Sequence, residues 1–297
     1  MQGNIDLGGA VDIHVHCGPS KFPRRVDGYE LAVEAADAGM DAVVMKEHFL
    51  PTVYGVPYID RLLERDERDI DVFGSLVMNY CNGGFNPFMV QTALDFGAKV
   101  VWVPTIDARN HGEKTNGVGK YLGMDDVAEE YRGKTGLYAL TENGELKDDV
   151  ALCLDKIVEH DAVLGLGHGT YEETHAMVEY LGEQGHSKVF VDHPNYYITD
   201  FDREQQQTLV DFGAYINFQF AAVSPKFHWL HAEELADNIR DLGVDNVMVS
   251  SDMGQIPNPS SPEGLRILGE LLLEEGFSRE EYRTMVETHP KSALGMK

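Results

Sequence analysis

Two histidines sit two residues apart in the run Val11-Asp12-Ile13-His14-Val15-His16. In an extended strand alternate side chains share a face, so Asp12, His14 and His16 are expected to point one way. Val11, Ile13 and Val15 would then pack the other way. Two imidazoles on one face can grip a single cation. Three more apolar runs end in the same residue types: Leu166-Gly167-His168-Gly169, Val191-Asp192-His193-Pro194 and Val249-Ser250-Ser251-Asp252-Met253-Gly254. Four histidines and an aspartate at four strand ends are a metal-site pattern. A bound divalent ion lowers the pKa of its water to roughly 7 and so makes hydroxide at neutral pH.

A fifth run, Val44-Met45-Lys46-Glu47-His48, places Lys46 and His48 on one face. Burying an unpaired ammonium is costly, so a lysine among metal ligands needs a task. Lys46 is read as a carboxylated bridge between metals, a substrate anchor, or a partner of Asp12 or Asp252. His48 is read as a further ligand or a polar residue on the rim. Arg24 and Arg25 follow the first strand, and Arg109 and His111 follow the fourth. All four are candidates for substrate binding, since a guanidinium pairs bidentately with carboxylate or phosphate; surface salt bridges are the competing reading. Asn79, Asn82, Asn217 and Gln219 could hydrogen-bond substrate or satisfy the core. His228, Trp229 and His231 could belong to a lid or to a surface contact. Cys17 is expected to pack away from the metals.

The elements that must position these residues are short apolar runs, suited to parallel strands buried on both faces. They are 10–16, 42–46, 71–78, 99–104, 162–166, 188–192, 214–220 and 246–250. Helical patterns are expected at 29–38, 86–96, 148–160, 171–181, 202–212, 232–242, 264–275 and 278–286. Segment 107–143 is polar and glycine-rich, and reads as a long loop carrying a short helix. Eight such alternations predict an α/β fold, a single (β/α)8 TIM-like barrel with its active site at the C-terminal ends of the strands. At 297 residues the chain fits one barrel domain spanning 1–297. An open doubly wound sheet is the alternative, weakened because no GxGxxG follows an early strand.

The pattern resembles the amidohydrolase superfamily of metal-dependent hydrolases: HxH on the first strand, His on the fifth, His on the sixth, Asp on the eighth. The tail Glu287-Thr288-His289-Pro290-Lys291-Ser292-Ala293-Leu294-Gly295 is similar to that family's closing helix motif, with His289 where Asn is usual. The resemblance implies that His14 and His16 bind the more buried metal. It implies that His168 and His193 bind a second ion or assist a single one. Asp252 would ligate metal and take the proton from the attacking water, as a positioned carboxylate can. Only about ten residues precede HxH, so the extra β-sandwich of some members is not expected. The chain departs from the family where a bridging Lys or Glu closes the fourth strand. Lys99 is at the wrong end of that strand, and Asp107 is the nearest substitute.

The implied activity is cleavage of an amide, lactone or other carboxyl-derived bond of a small substrate, possibly an anionic one, with catalytic residues Asp252 and Lys46. One or two divalent ions are expected, zinc first, with manganese, iron or nickel as alternatives. Polymerase-and-histidinol-phosphatase (PHP) phosphoesterases also resemble the Asp-x-His-x-His run, but they end in Asp-x-His, whereas this chain has Asp252-Met253-Gly254. Single-metal decarboxylation within the same fold is a further alternative.

Composition sets the bounds. Hydrophobic residues make up 43 % and charged residues 25 %, typical of a globular chain. The 24 basic and 50 acidic residues give a net charge of −26, which argues against a nucleic-acid or anionic-membrane partner. The expected partner is a small molecule, and a homo-oligomer is allowed. Three cysteines without a CxxC argue against a disulfide framework or a cysteine-based zinc site. No leader and no apolar run of membrane-spanning length are seen, and a cytoplasmic location is expected.

Overall fold

Every strand pairing in the computed structural model is parallel. The structure describes residues 5–120 and 128–297. The order is β1 (Val11–His16), α1 (Gly28–Asp37), β2 (Ala42–Lys46), α2 (Val56–Arg65), β3 (Asp71–Phe73), β4 (Ser75–Val77), α3 (Pro87–Asp95), β5 (Val100–Trp102), α4 (Arg109–Thr115) and α5 (Asp148–Glu159). Then come β6 (Val163–Leu166), α6 (Tyr171–Glu183), β7 (Val189–Asp192), α7 (Arg203–Asp211), β8 (Tyr215–Gln219), α8 (Ala232–Leu242), β9 (Val247–Ser250), α9 (Ser261–Glu274), α10 (Arg279–Arg283) and α11 (His289–Leu294).

The strands form two sheets, β1-β2-β3 and β4-β5-β6-β7-β8-β9. The third predicted strand is thus broken at Gly74. A Cβ there would lie 2.2 Å from Val53 Cα, so the loop after β2 crosses too closely for any larger residue. The far edges also meet. Asp252 N–H donates to His14 O at 2.9 Å, and His16 N–H donates to Met253 O at 2.8 Å.

The apolar residues divide between the two faces of the strands. Val11, Ile13, Val44, Trp102, Phe190 and Met248 form one cluster with Ala293 and Leu294 of α11. Val15, Val43, Met45, Leu164, Val191 and Leu268 join the larger cluster that packs strands against helices. This corrects the expected facing of β1. The β1–β2 register shifts between Asp12 and Val15. Such an irregularity breaks the alternation of side chains. His14 and His16 therefore share the inner face with Val11 and Ile13, while Asp12 leaves the site. Asp12 instead accepts from Ser251 N at 3.0 Å, from Ser251 Oγ and from Ser261 Oγ at 2.5 Å, tying β1 to the segment after β9 and to α9.

Helix starts follow their capping residues. Thr170 and Glu173 form a capping box that starts α6 immediately after His168-Gly169. Glu173 also accepts from Ala139 N at 2.7 Å, which fixes that loop. Helix α2 is not among the expected helices; Pro57 lies in its first turn, where proline is tolerated. The expected helix 278–286 is α10 followed by a π-helical turn, Thr284–Thr288. Helix α4 is the short helix expected after the fourth strand; residues 121–127 of that segment lie outside the described residues, as do residues 1–4. Among the described residues no helix is long and apolar enough to cross a membrane.

Candidate metal centre

His14, His16 and Asp252 converge where the two sheet edges meet. Asp252 Oδ1 lies 3.4 Å from His14 Nε2 and 3.2 Å from His16 Nε2. One ligand atom from each of the three falls within 4.8 Å of the others. Two imidazoles and a carboxylate suit zinc and other borderline divalent ions. The second ring nitrogen of each histidine decides which tautomer is present. His16 Nδ1 lies 3.0 Å from Lys46 O, an acceptor, so Nδ1 carries the proton and Nε2 keeps its lone pair. His14 Nδ1 approaches Asp192 Oδ1 at 3.0 Å without the alignment of a hydrogen bond. Carboxylate and carbonyl partners behind the rings are the usual support of ligating histidines. The residues present therefore fit a divalent ion.

Asp192 is the site residue that sequence reasoning missed. It was read only as the neighbour of His193, although an Asp closing a buried strand was a usable signal. It is fully buried and accepts from Trp102 Nε1 at 2.9 Å, Asn217 Nδ2 at 2.8 Å and Gln219 Nε2 at 2.9 Å. Burial alone would raise its pKa, but the His14 ring and the Lys46 ammonium hold it well below the usual carboxylate range. Asn217 and Gln219 are thereby engaged by this carboxylate.

Lys46 enters the pocket from the end of β2 and is 1 % exposed. Its Nζ lies 3.2 Å from His14 Nε2, 3.4 Å from Asp192 Oδ2 and 4.7 Å from the centre of the Trp102 ring. Burial lowers its pKa, against the pull of Asp192 and Asp252. Trp102 closes β5, the fourth predicted strand, where the family resemblance would place a bridging carboxylate. A Cβ on Gly165 would stand 2.4 Å from Trp102 Nε1, so glycine opens the space for the indole. His48 stacks 4.9 Å from His16 and lies 2.8 Å from Thr105 Oγ1. Asn79 supports it, donating to Thr105 Oγ1 at 2.9 Å and to His48 O at 3.0 Å.

His168 and His193 face the same cavity from β6 and β7, their rings 4.9 Å apart. Burial holds His168 well below the usual imidazole range and His193 at about 4, so both are neutral and able to ligate. His193 Nδ1 is buried without a hydrogen-bond partner. His111 lies behind this pair. Its Nε2 is 2.7 Å from Lys120 O and its Nδ1 is 2.8 Å from His168 Nδ1. The carbonyl must accept, so His111 Nε2 carries the proton and Nδ1 accepts from His168. That leaves His168 Nε2 with its lone pair. His111 was expected to touch substrate; here it positions His168.

The cavity measures about 40 Å³ and is lined by His14, His16, Lys46, His48, His168, His193, Tyr196, Phe227, Trp229 and Asp252. Three of these, His168, His193 and Asp252, have positive φ values of 61°, 35° and 51°. Non-glycine residues adopt that region at a cost, and such strain gathers at functional sites.

The remaining candidates are placed as follows. Arg24 Nη2 reaches within 3.3 Å of His16 Nδ1. Arg25 is committed to Glu34 at 2.6 and 2.7 Å, and Arg109 lies over the Tyr138 ring at 4.2 Å; neither lines the cavity. Asp107 also lies outside it and accepts from Tyr80 N at 2.7 Å. Asn82 donates to Val77 O at 2.8 Å. His228 and His231 meet edge to face, away from the lining. Cys17 is buried beside a separate cavity of about 350 Å³, with Met45, Tyr58 and Ile59. Among the described residues no cluster of metal-ligating groups lies in that second cavity.

A model of DUF6282, a family of unknown function, matches residues 9–217. No curated protein matches the sequence. Solved structures do share the fold. An amidohydrolase from Pseudomonas aeruginosa aligns with TM-score 0.64 and 11 % identity over 97 % of this chain and 95 % of its own. A probable 2-pyrone-4,6-dicarboxylic acid hydrolase from Acinetobacter baumannii gives 0.60 and 12 %, over 97 % and 100 %. A dihydroorotase gives 0.60 and 13 %, over 98 % and 83 %. These neighbours are members of the amidohydrolase superfamily.

Proposed function

The chain belongs to the family of unknown function DUF6282, and we propose that it is a metal-dependent hydrolase acting on an amide, lactone or other carboxyl-derived bond. The observation that carries this reading is the convergence of His14, His16 and Asp252 within 4.8 Å, at the end of a parallel α/β architecture shared with hydrolases. The lactone option draws on the neighbour named for 2-pyrone-4,6-dicarboxylic acid. The proposed architecture is a closed (β/α)8 barrel, β3 and β4 counting as one strand, with the His14 and His16 backbone bonds joining β1 to the end of β9.

His14, His16 and Asp252 would hold the ion, with His168 and His193 completing its surroundings. When bound, a divalent cation supplies Lewis acidity and acidifies a water to a pKa near 7. Asp252, holding the ion through one carboxylate oxygen, would accept a proton on the other and return it to the leaving group. The Lys46 ammonium stabilises negative charge developing beside His14. A single ion is the preferred occupancy, because Lys46 would repel a second cation and Trp102 occupies the end of β5. Zinc is the first candidate.

Elemental analysis combined with a lactone, amide, ester and phosphoester panel tests the reading. His14→Ala with His16→Ala is expected to remove the metal while the fold survives. Asp252→Asn is expected to cut turnover at least ~100-fold, the scale of losing a general base. Unchanged metal content in the double variant would overturn the assignment. Metal-dependent CO2 release from a carboxylic acid, without hydrolysis of any panel member, would favour the single-ion decarboxylase instead.

A further inference from the structure

The cavity beside Cys17, of about 350 Å³, lies between β2 and the first turns of α1 and α2. Met45 and Glu47 line it. They alternate along the chain with Lys46 and His48, which line the metal centre, so the two cavities use opposite faces of one run. Its floor is closed by tight packing. A Cβ on Gly28 would stand 2.8 Å from both Ile59 Cδ1 and Met45 Sδ, and 3.7 Å from Cys17 Sγ. Burial pushes the Cys17 thiol up to about 12, so it stays a neutral, largely apolar group there. Elsewhere the lining faces open space: a Cβ on Gly55 would meet nothing within 4 Å. Leu50 and Tyr58, also in the lining, are 61 % and 68 % exposed. The volume is that of a small-molecule site, on the order of 300–1,000 Å³.

The charged groups in this lining are of one sign, Asp27 and Glu47. Glu47 is 3 % exposed and is held rigidly. Its Oε2 accepts from Phe49 N at 2.6 Å and Leu50 N at 3.2 Å, and its Oε1 accepts from Ser20 Oγ. A carboxylate oxygen has about two acceptor positions, so Oε1 keeps one for a further donor. Asp27 caps α1, accepting from Glu30 N at 2.8 Å through Oδ1. Among the described residues no lysine or arginine lines the cavity. The nearest in sequence are engaged elsewhere, Lys21 with Glu130 and Arg25 with Glu34. Two carboxylates beside apolar walls, without a cation of the protein's own, complement a positive charge. The faces of Tyr29 and Tyr58, both in the lining, add to that preference.

We infer that this cavity is a second ligand site, separate from the metal centre, and that it takes a small organic amine. The ammonium donates to Glu47 in the negative field that Asp27 adds, and an aromatic or alkyl body lies over Met45, Ile59 and Tyr58. Neither the metal nor the proposed hydrolysis is needed for this binding.

The test is calorimetric titration of the full chain with 2-phenylethylamine, 2-phenylethanol and 3-phenylpropionate, which share one ring and differ in charge. The amine is expected to bind about tenfold more tightly than the alcohol, the scale of a charge-assisted hydrogen bond, and the carboxylate most weakly. Glu47→Gln should erase the advantage of the amine over the alcohol. Gly55→Leu, which adds a side chain where the backbone leaves room, should weaken amine and alcohol alike by tenfold or more. Equal unfolding temperatures would show that the variants fold; should Glu47→Gln not fold, Gly55→Leu and the ligand order in the wild type still decide. Failure of the amine to bind would overturn the site, as would wild-type affinity in folded Gly55→Leu. Equal binding of all three ligands, or an unchanged preference in folded Glu47→Gln, would overturn the amine assignment. The affinity should be the same with and without added zinc; amine binding that requires zinc would place the ligand on the metal and overturn a separate site. Failure of every hydrolysis assay with these affinities intact would sink the hydrolase and leave the amine site standing.

Discussion

Asp192 supports the site through three neighbours at once: the His14 ring, the Lys46 ammonium and the Trp102 indole. Asp192→Asn removes the charge that opposes Lys46 and offers one acceptor oxygen where two were used. It is expected to lower metal affinity 10–100-fold, the usual cost of losing such support, with metal titration as the check. His111→Ala removes the acceptor that fixes the His168 tautomer. Its expected signature is turnover lowered about tenfold with metal stoichiometry retained, because His14, His16 and Asp252 are untouched. Loss of the metal itself would show that His168 is a principal ligand. At this scale the sequence was legible where residue type and strand position coincide, as at His14, His16 and Asp252. The partners of Asp192 and the tautomer relay through His111 were not, because each depends on residues far along the chain; only the position of Asp192 at the end of a buried strand marked it. Arg25 was indistinguishable from Arg24 until Glu34 was seen to engage it.

Strands were easier to read than their facings. Buried parallel strands leave continuous apolar runs, and each of the eight runs contains a strand. The register shift in β1 leaves no such mark, so the inner face was assigned wrongly for Val11, Asp12 and Ile13. Helix α2 is hidden by Pro57 and by its exposure: Leu63 is its one buried residue. The elements place the site residues through tight backbone approaches, and Gly254 is the sharpest. Its φ is +127°, and a Cβ there would stand 2.1 Å from His16 O. Gly254→Ala must push the Asp252 segment away from β1. A loss of about 1–3 kcal/mol in stability is expected from the backbone strain, together with weaker metal binding, both readable by thermal unfolding with and without metal. An unfolding temperature equal to the wild type would mean the two segments can separate freely.

At the scale of the whole molecule, two charge effects oppose each other as pH falls. The net charge of −26 makes the native chain repel itself at neutral pH, and acid relieves this. Asp107 acts in the same direction. Burial raises its carboxyl to about 6, so its contribution is fully present below the unfolded value near 4 and is lost as pH rises through 6. The buried histidines act the other way. His111 and His193 are lowered to about 4, and His16, His48 and His168 are also lowered, all mainly by burial. A depressed imidazole adds stability above its unfolded value near 6.5, and loses it as pH falls towards 4. His111 alone, shifted from 6.5 to about 4, is worth on the order of 3 kcal/mol across that window. These five imidazoles outnumber the three buried carboxyls that burial raises, Asp107, Asp12 and Glu173, so the metal-free protein is expected to lose urea resistance between pH 6.5 and 4. Salt separates the two causes. Surface repulsion is screened at 1 M, where the Debye length is about 3 Å, whereas buried imidazoles are screened far less. The acid loss should therefore persist, and steepen, in 1 M KCl. A urea midpoint that rises on acidification at high salt would show that these histidines are not buried as neutral rings.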